Sequence, residues 1–321
     1  MPRVRRRRRR SASGSEIPGQ RQARITMTST SGTPAADGIS LRPLLRADIP
    51  FANELRRLSR WNQTEADWHG YLDYEPAGCF VAELEGTPVG TATTVRYGPD
   101  VGWIGMVVVH PAARSRGVGK RLLRHAIAYL KACGVRCVRL DATPMGKVVY
   151  VPLGFRAEYE VRRYEGIAVV TAGDSAVPER AYSEIPAGAI AAFDAAAFGT
   201  PRGPVLASLS RRAPDFCFAA SEAGTIRGYL IAREGSDAMQ IAPWVARDAA
   251  TALGLWLALA RRVAGRRVFV DVPVPNTAGC ALVEACGFTV QRTFTRMYLG
   301  AENLHPGELA RIFGTGGAEK G

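Results

Sequence analysis

The chain has 321 residues, 47% of them hydrophobic and 22% charged, with a formal net charge of +13. That length admits two ordinary domains with a sizeable core. The longest apolar run, Leu253–Ala260, falls far short of the ~20 residues of a membrane-spanning helix, so no membrane partner is expected. The six cysteines form no C-x-x-C pair and have no histidine cluster beside them, which argues against a metal site and fits a reducing, cytoplasmic setting.

The charge is unevenly placed. Nine arginines and a single acid, Glu16, fall within residues 1–26, and only four of the 42 basic residues are lysines: Lys120, Lys131, Lys147 and Lys320. So strong an arginine skew points to coding bias rather than selected phosphate binding. Nucleic-acid contact is therefore expected only as nonspecific attraction to the tail. The arginine run lacks the apolar stretch of a secretory or twin-arginine signal. Residues 1–38 are rich in Arg, Ser, Gly and Thr and read as a disordered basic tail, with Met27 as good a start as Met1.

Regular patterning begins at Ile39. A short strand over Ile39–Leu44 precedes a helix over Ala47–Ser59, where Ile49, Ala52, Leu55 and Leu58 recur near helical spacing. A second helix is read over Glu65–Tyr71. Strands follow at Cys79–Leu84, Val89–Tyr97 and Val101–Val109, separated by Glu-Gly and Gly-Pro-Asp turns. A helix from Gly117 to Cys133 carries the stripe Val118, Leu122, Ala126, Ile127 and Leu130 and stops at Gly134. Val135–Leu140 reads as a strand, Lys147–Val151 as a short helix and Tyr159–Tyr164 as a strand.

Residues 169–179 have linker composition, and a weaker copy of the pattern follows. Strands are read at Phe216–Ser221, Thr225–Arg233 and Met239–Val245, a helix at Asp248–Val263, and strands at Arg267–Asp271 and Thr293–Leu299. The halves end alike. Leu153-Gly154-Phe155 precedes Arg163-Tyr164-Glu165-Gly166, and Cys286-Gly287-Phe288 precedes Met297-Tyr298-Leu299-Gly300, at offsets of 133 and 134 residues. This implies an internal duplication. The domains are read as 39–168 and 180–300, with 301–321 a C-terminal tail.

The strongest local signal joins the strand Val107-Val108-Val109 to the segment Arg114-Ser115-Arg116-Gly117-Val118-Gly119-Lys120 at a helix start. Unpaired backbone N–H groups and the positive dipole end suit a phosphate there. Gly117 and Gly119 remove side chains that would hold a pyrophosphate off the backbone, and Arg114 and Arg116 add charge. Neither a Walker A loop nor a dinucleotide fingerprint is present.

This arrangement resembles the GNAT acetyltransferase superfamily, whose Q/R-x-x-G-x-G/A loop grips the pyrophosphate of acetyl-CoA. The resemblance covers residues ~40–168. With Trp61-Asn62-Gln63, Leu140–Gly146, Ala242-Pro243-Trp244-Val245 and Phe294–Tyr298, the whole resembles tandem-GNAT proteins of the YitH-like group. It implies an α/β fold of the α+β mixed-sheet kind, two GNAT-type domains in tandem, each a mixed sheet flanked by helices. It also implies an acetyl-CoA-dependent N-acetyltransferase without a metal, acting on a small-molecule amine or peptide as a monomer or homodimer.

Within that resemblance Val107, Val108 and Val109 would face the pantetheine arm. Tyr150, four residues before Gly154, holds the place of the acid that protonates the leaving thiolate; a packed core tyrosine is the plainer alternative. Trp61, Asn62 and Gln63 fall where the acceptor site is commonly lined, although Trp61 also suits a packing anchor. No general base stands out. His110 reads as a strand-end residue, and Asp141, matched by Asp271 in the second half, as structural. Val283 stands at the tyrosine position of the second half and Val245–Ala250 has no glycine, so that half is expected to have lost acetyl-CoA binding. A mycothiol-synthase-like enzyme and a non-catalytic acyl-CoA sensor are the competing readings.

Overall fold

A computed structural model describes residues 37–170, 179–301 and 307–321. The basic tail up to residue 36 and most of the expected linker lie outside them. The first half runs β1 (Ile39–Pro43), α1 (Ile49–Leu58), α2 (Glu65–Tyr74), β2 (Phe80–Leu84), β3 (Thr87–Tyr97), β4 (Val101–Val109), α3 (Val118–Ala132), β5 (Cys137–Ala142), α4 (Pro144–Tyr150) and β6 (Arg156–Ile167). Helix α1 buries Ile49, Ala52 and Leu55. Helix α3 buries the expected stripe, together with Leu123, against β3 and β4. Helix α4 starts one turn earlier than its periodicity suggests, because the Thr143 hydroxyl accepts from Gly146 N at 3.1 Å and Pro144 suits the first turn.

The second half repeats the plan: β7 (Glu179–Ala181), α5 (Ala187–Phe198), α6 (Gly203–Arg212), β8 (Cys217–Glu222), β9 (Thr225–Arg233), β10 (Met239–Ala246), α7 (Ala249–Arg262), β11 (Arg267–Pro273), α8 (Thr277–Ala285), β12 (Thr289–Gly300) and β13 (Ile312–Gly314). Helices α5, α6 and α8 were not expected. In α5, Ala and Gly dominate the sequence, so no polar stripe marks a helical period.

The sheet departs from two separate domain sheets. The strands form one mixed sheet in the order β1-β2-β3-β4-β5-β12-β6-β11-β10-β9-β8-β7, with β13 paired to β10. The last long strand of each half has crossed to the other half: β12 pairs with β5, and β6 pairs with β11. Both strands are therefore interior and paired on both sides, and each runs 12 residues, beyond the spans read from the sequence.

The exchange is fixed by two buried ion pairs. Arg296 of β12 forks onto Asp141 of β5 at 2.8 Å, and Arg163 of β6 forks onto Asp271 of β11 at 2.7 Å. The two arginines are 133 residues apart, one of the two offsets of the duplication. Each half thus supplies the aspartate for the other half's arginine. Such bidentate pairs bring geometric specificity, because a register slip would strand both charges in the core.

The segment expected as a C-terminal tail is instead buried from Ile312 to Gly317 and again at Glu319, Lys320 and Gly321. Its glycines permit close packing. It lies so near β4 that a Cβ on Gly105 would come within 2.6 Å of the Glu319 carbonyl oxygen. The Lys320 ammonium pairs with Glu319 at 2.8 Å and Asp67 at 3.5 Å, and Arg233 bridges Asp67 and Glu319. Composition suggested a solvated end, but a closed set of buried charges holds it in place.

Candidate functional site

Strands β4 and β5 pair in parallel only from Val101↔Cys137 to Trp103↔Arg139. Beyond that point β5 continues along β12 while β4 turns away. The divergence starts at a bulge: Met106 has φ +49°, the β3–β4 register shifts beside it, and the Thr91 hydroxyl donates to the Met106 carbonyl at 3.0 Å. A wedge therefore opens between two neighbouring strands, and one edge of β4 from Ile104 onward has no strand partner among the described residues.

The wedge leads to the loop before α3. Ser115 and Gly117 both hold positive φ, +62° and +84°, and the Arg114 Nε donates to the Val109 carbonyl at 3.2 Å. Gly117 occupies the helix N-cap, and its Cβ direction meets nothing within 4 Å. That open space in front of a helix N-terminus fits a pyrophosphate. Arg114, Ser115, Arg116 and Lys120 are exposed around it. Val118 is a correction in part: its side chain is 1% exposed and belongs to the core, so only its backbone can face a ligand.

A cavity of about 660 Å³ occupies the wedge and extends to the α1–α2 side. It brings together Val107, Val108, Val109, Arg114, Ser115, Gly119 and Tyr150 with Trp61 and Gln63. Tyr150 is half-buried, lies over Gly146 and packs against Phe155 at 6.0 Å. Burial pushes its phenol up to about 12, and the hydroxyl has no hydrogen-bond partner among the described residues. Gln63 is 5% exposed, and its Oε1 is buried without a partner among the described residues.

Asn62 does not join this group. Its Oδ1 accepts from the N–H groups of Asp237 and Ala238, and its Nδ2 donates to the Ala238 carbonyl at 3.0 Å. The amide is spent on holding the β9–β10 loop of the second half, so the expected substrate contact is corrected to a structural one. His110 takes the expected strand-end role, its ring nitrogen accepting from Ala112 N.

The cavity also holds residues that sequence reasoning missed. Arg163, Arg292, Phe294 and Glu319 reach it from β6, β12 and the C-terminal segment. Arg163 and Phe294 stand in stretches that carry the duplication and the resemblance, but nothing in the sequence marked Arg292 or Glu319. Burial disfavours a charged Glu319, yet Lys320 and Arg233 hold its carboxyl below the usual range. Burial pushes Asp141 up, against the pull of Arg296. No group of metal-binding side chains occurs among the described residues.

Among the described residues the second half shows no equivalent opening between its strands. Strands β10 and β11 also pair in parallel and then part after Ile241↔Val270. There β13 pairs with β10 through Trp244↔Gly314 and Val245↔Ile312. At the start of α7 the Asp248 carboxylate accepts from Thr251 N at 2.8 Å and pairs with Arg227. A side-chain anion thus holds the place a phosphate would take.

An acetyltransferase (GNAT) family model matches residues 45–147, and a second acetyltransferase (GNAT) domain model matches residues 190–314. The chain is 26% identical over 265 residues to a holothin acyltransferase of Pseudoalteromonas sp. (strain SANK 73390), across 81% of this chain and 88% of that protein. Among solved structures, a putative acetyltransferase from Pyrococcus horikoshii is similar with a TM-score of 0.75 at 24% identity, over 88% of this chain and 96% of the other. A tandem GNAT protein from the clavulanic acid biosynthesis pathway gives a TM-score of 0.60 at 16% identity, over 82% and 99%. At these identities the structural likeness speaks for the fold.

Proposed function

Because the chain belongs to the GNAT acetyltransferase family and carries two such domains in tandem, we propose that its first half binds acetyl-CoA and passes the acetyl group directly to a primary amine. The observation that carries this reading is the wedge between β4 and β5, which ends on the Gly117 loop and has Tyr150 at its side. Acetyl-CoA supplies a thioester whose carbonyl accepts the amine and whose sulfur departs as thiolate.

The chain's own groups have three tasks. The backbone N–H groups of α3's first turn, with Arg114, Ser115, Arg116, Gly117, Val118, Gly119 and Lys120 around them, hold the pyrophosphate. The unpaired edge of β4 at Val107, Val108 and Val109 aligns the pantetheine arm, and its N–H groups at the bulge polarise the carbonyl. Tyr150 gives a proton to the departing sulfur, and the proton that the amine nitrogen loses as the amide forms returns the Tyr150 phenolate to the phenol. A phenol raised to about 12 is fully protonated at neutral pH, and its unshared hydroxyl is free to donate. Trp61 and Gln63 line the acceptor side.

The second half is a non-catalytic partner in this reading. Its wedge is closed by β13 and its helix start is capped by Asp248, while its strand β12 builds a wall of the acceptor cavity. A sensor without turnover would bind acetyl-CoA in the same wedge but would need no proton donor beside the sulfur, and Tyr150→Phe separates the two readings. A mycothiol-synthase-like activity has no observation in its favour. No helix among the described residues is long and apolar enough to cross a membrane, and we take the enzyme to act in the cytoplasm on a small amine or peptide.

The test is thermal. Acetyl-CoA at about 100 times its dissociation constant stabilises a single-site protein by about 2.7 kcal/mol, several degrees of melting temperature. Gly117→Glu forces a carboxylate and a β-carbon into the positive-φ cradle and should abolish the shift. Absence of any shift in the unmodified protein would overturn the proposal.

A further inference from the structure

The acceptor side of the cavity has a polar floor whose charges are almost all matched. On β12, residues 292, 294 and 296 share one face, since the register is regular between Arg292 and Arg296. Arg296 on that face is closed onto Asp141, and the neighbouring Arg163 is closed onto Asp271. Arg233 is likewise taken by Asp67 and Glu319. Arg292 is the exception among the cations delivered by β6, β9 and β12; Arg60, the other cation on the acceptor side without a partner among the described residues, is exposed at the rim. The Arg292 Nε donates to the Gln291 side chain at 3.0 Å, but its terminal nitrogens have no partner among the described residues. The nearby acids are engaged elsewhere: Asp271 with Arg163, and Glu165 with Arg267 and Gln291.

An open guanidinium in such a place is costly. Half-buried beside Arg163, Arg292 suffers both burial and like-charge repulsion, which lower its pKa from the usual arginine value. A guanidinium nonetheless remains charged in proteins. Gln63 lines the same cavity, although its Oε1 is buried away from the open space and has no partner among the described residues. A bare donor fork in the cavity is complementary to a ligand that offers an oxyanion.

We propose that Arg292 binds an acidic group on the acceptor, so that the substrate is an amine that also carries a carboxylate or a phosphate. This deepens the acetyltransferase reading and rests on it. Strand exchange gives the device a reason: the second half keeps no cofactor site, but its strand β12 delivers the residue that selects the substrate of the first.

The experiment measures binding to the full chain by calorimetry with CoA present, using matched probes: amino acids beside their amides, and 2-aminoethyl phosphate beside ethanolamine. A charge-assisted pair predicts that an acidic member binds about 10- to 100-fold more tightly than its neutral partner. Whether the carboxylate or the phosphate series shows the preference identifies the source of the anion. Arg292→Gln should erase the preference without weakening acetyl-CoA, and Arg292→Lys should restore part of it. Melting temperature should not fall, since the substitution relieves repulsion with Arg163. Equal binding of acidic and neutral partners, no binding of any acidic probe, or a preference that survives Arg292→Gln overturns the inference. Acetyl-CoA titrated into the same samples separates the failures: if it binds and no acid preference appears, only this inference falls, and if it does not bind, the acetyltransferase reading falls with it.

Discussion

Replacing Tyr150 by Phe removes one hydroxyl and keeps the ring. The ring is held by Phe155 at 6.0 Å and by Gly146, where a Cβ would approach to 2.9 Å. The hydroxyl gives up no hydrogen bond to a described residue, so the cost in stability should stay within about 0.5 kcal/mol. The catalytic cost is different in size. A positioned acid contributes about 10²- to 10⁴-fold, equal to about 3–5.5 kcal/mol of barrier. The assay is CoA thiol release at saturating acetyl-CoA, with the best acceptor from a panel of amines, and acetyl-CoA affinity is measured alongside. Expected are a kcat at least about 100-fold lower and an unchanged affinity. The pH profile is a second readout. With the phenol at about 12, the acid form persists across the neutral range, so Tyr150 should cause no alkaline loss of kcat below about pH 10. A variant with unimpaired kcat, or one that loses activity only by melting, would refute the acid role.

The exchanged strands and the buried charges give two further predictions. Arg296→Leu leaves Asp141 as an uncompensated buried carboxyl and should cost about 3–5 kcal/mol in urea unfolding, whereas removing Asp141 as well should recover most of it; a cost below about 1 kcal/mol would show that the pair does not hold β12 to β5. Burial opposes ionisation of Asp67, but Arg233, Lys320 and Arg212 hold its pKa well below the usual carboxyl value. A depressed folded-state pKa contributes stability above the unfolded value of about 3.9 and loses it as pH falls through the folded one. Melting temperature measured against pH should accordingly drop below about pH 4 on this account, with a smaller drop in Asp67→Asn. An identical acid limb in that variant would contradict the assignment.

The parts of the molecule legible in the sequence are those encoded locally. Gly117 after a β-branched strand marks the loop, because few other residues tolerate the positive φ required there, and Gly119 leaves the first turn of α3 without a side chain. The stripe of α3 repeats at the helical period and faces the core as expected. What stayed hidden depends on contacts far apart in the chain. Alternation in β6 and β12 says which faces are buried but does not name neighbouring strands, so the exchange could not be read. Met106 carries no turn signature, yet it makes the bulge that opens the wedge. Residues 314–321 have the composition of a loose tail, but Lys320 and Glu319 find their partners on α2 and β9. Asn62 and Gln63 are adjacent and chemically alike, and only the fold shows one bound to a loop and the other lining a cavity.

The central claim is that one half of this tandem protein keeps a working acetyl-CoA site and the other has closed its own. Calorimetric titration of the full chain with acetyl-CoA tests it most directly. The account predicts one molecule bound per chain, lost in Gly117→Glu and unaffected by changes at Asp248. Two molecules per chain, or one that survives Gly117→Glu, would contradict it.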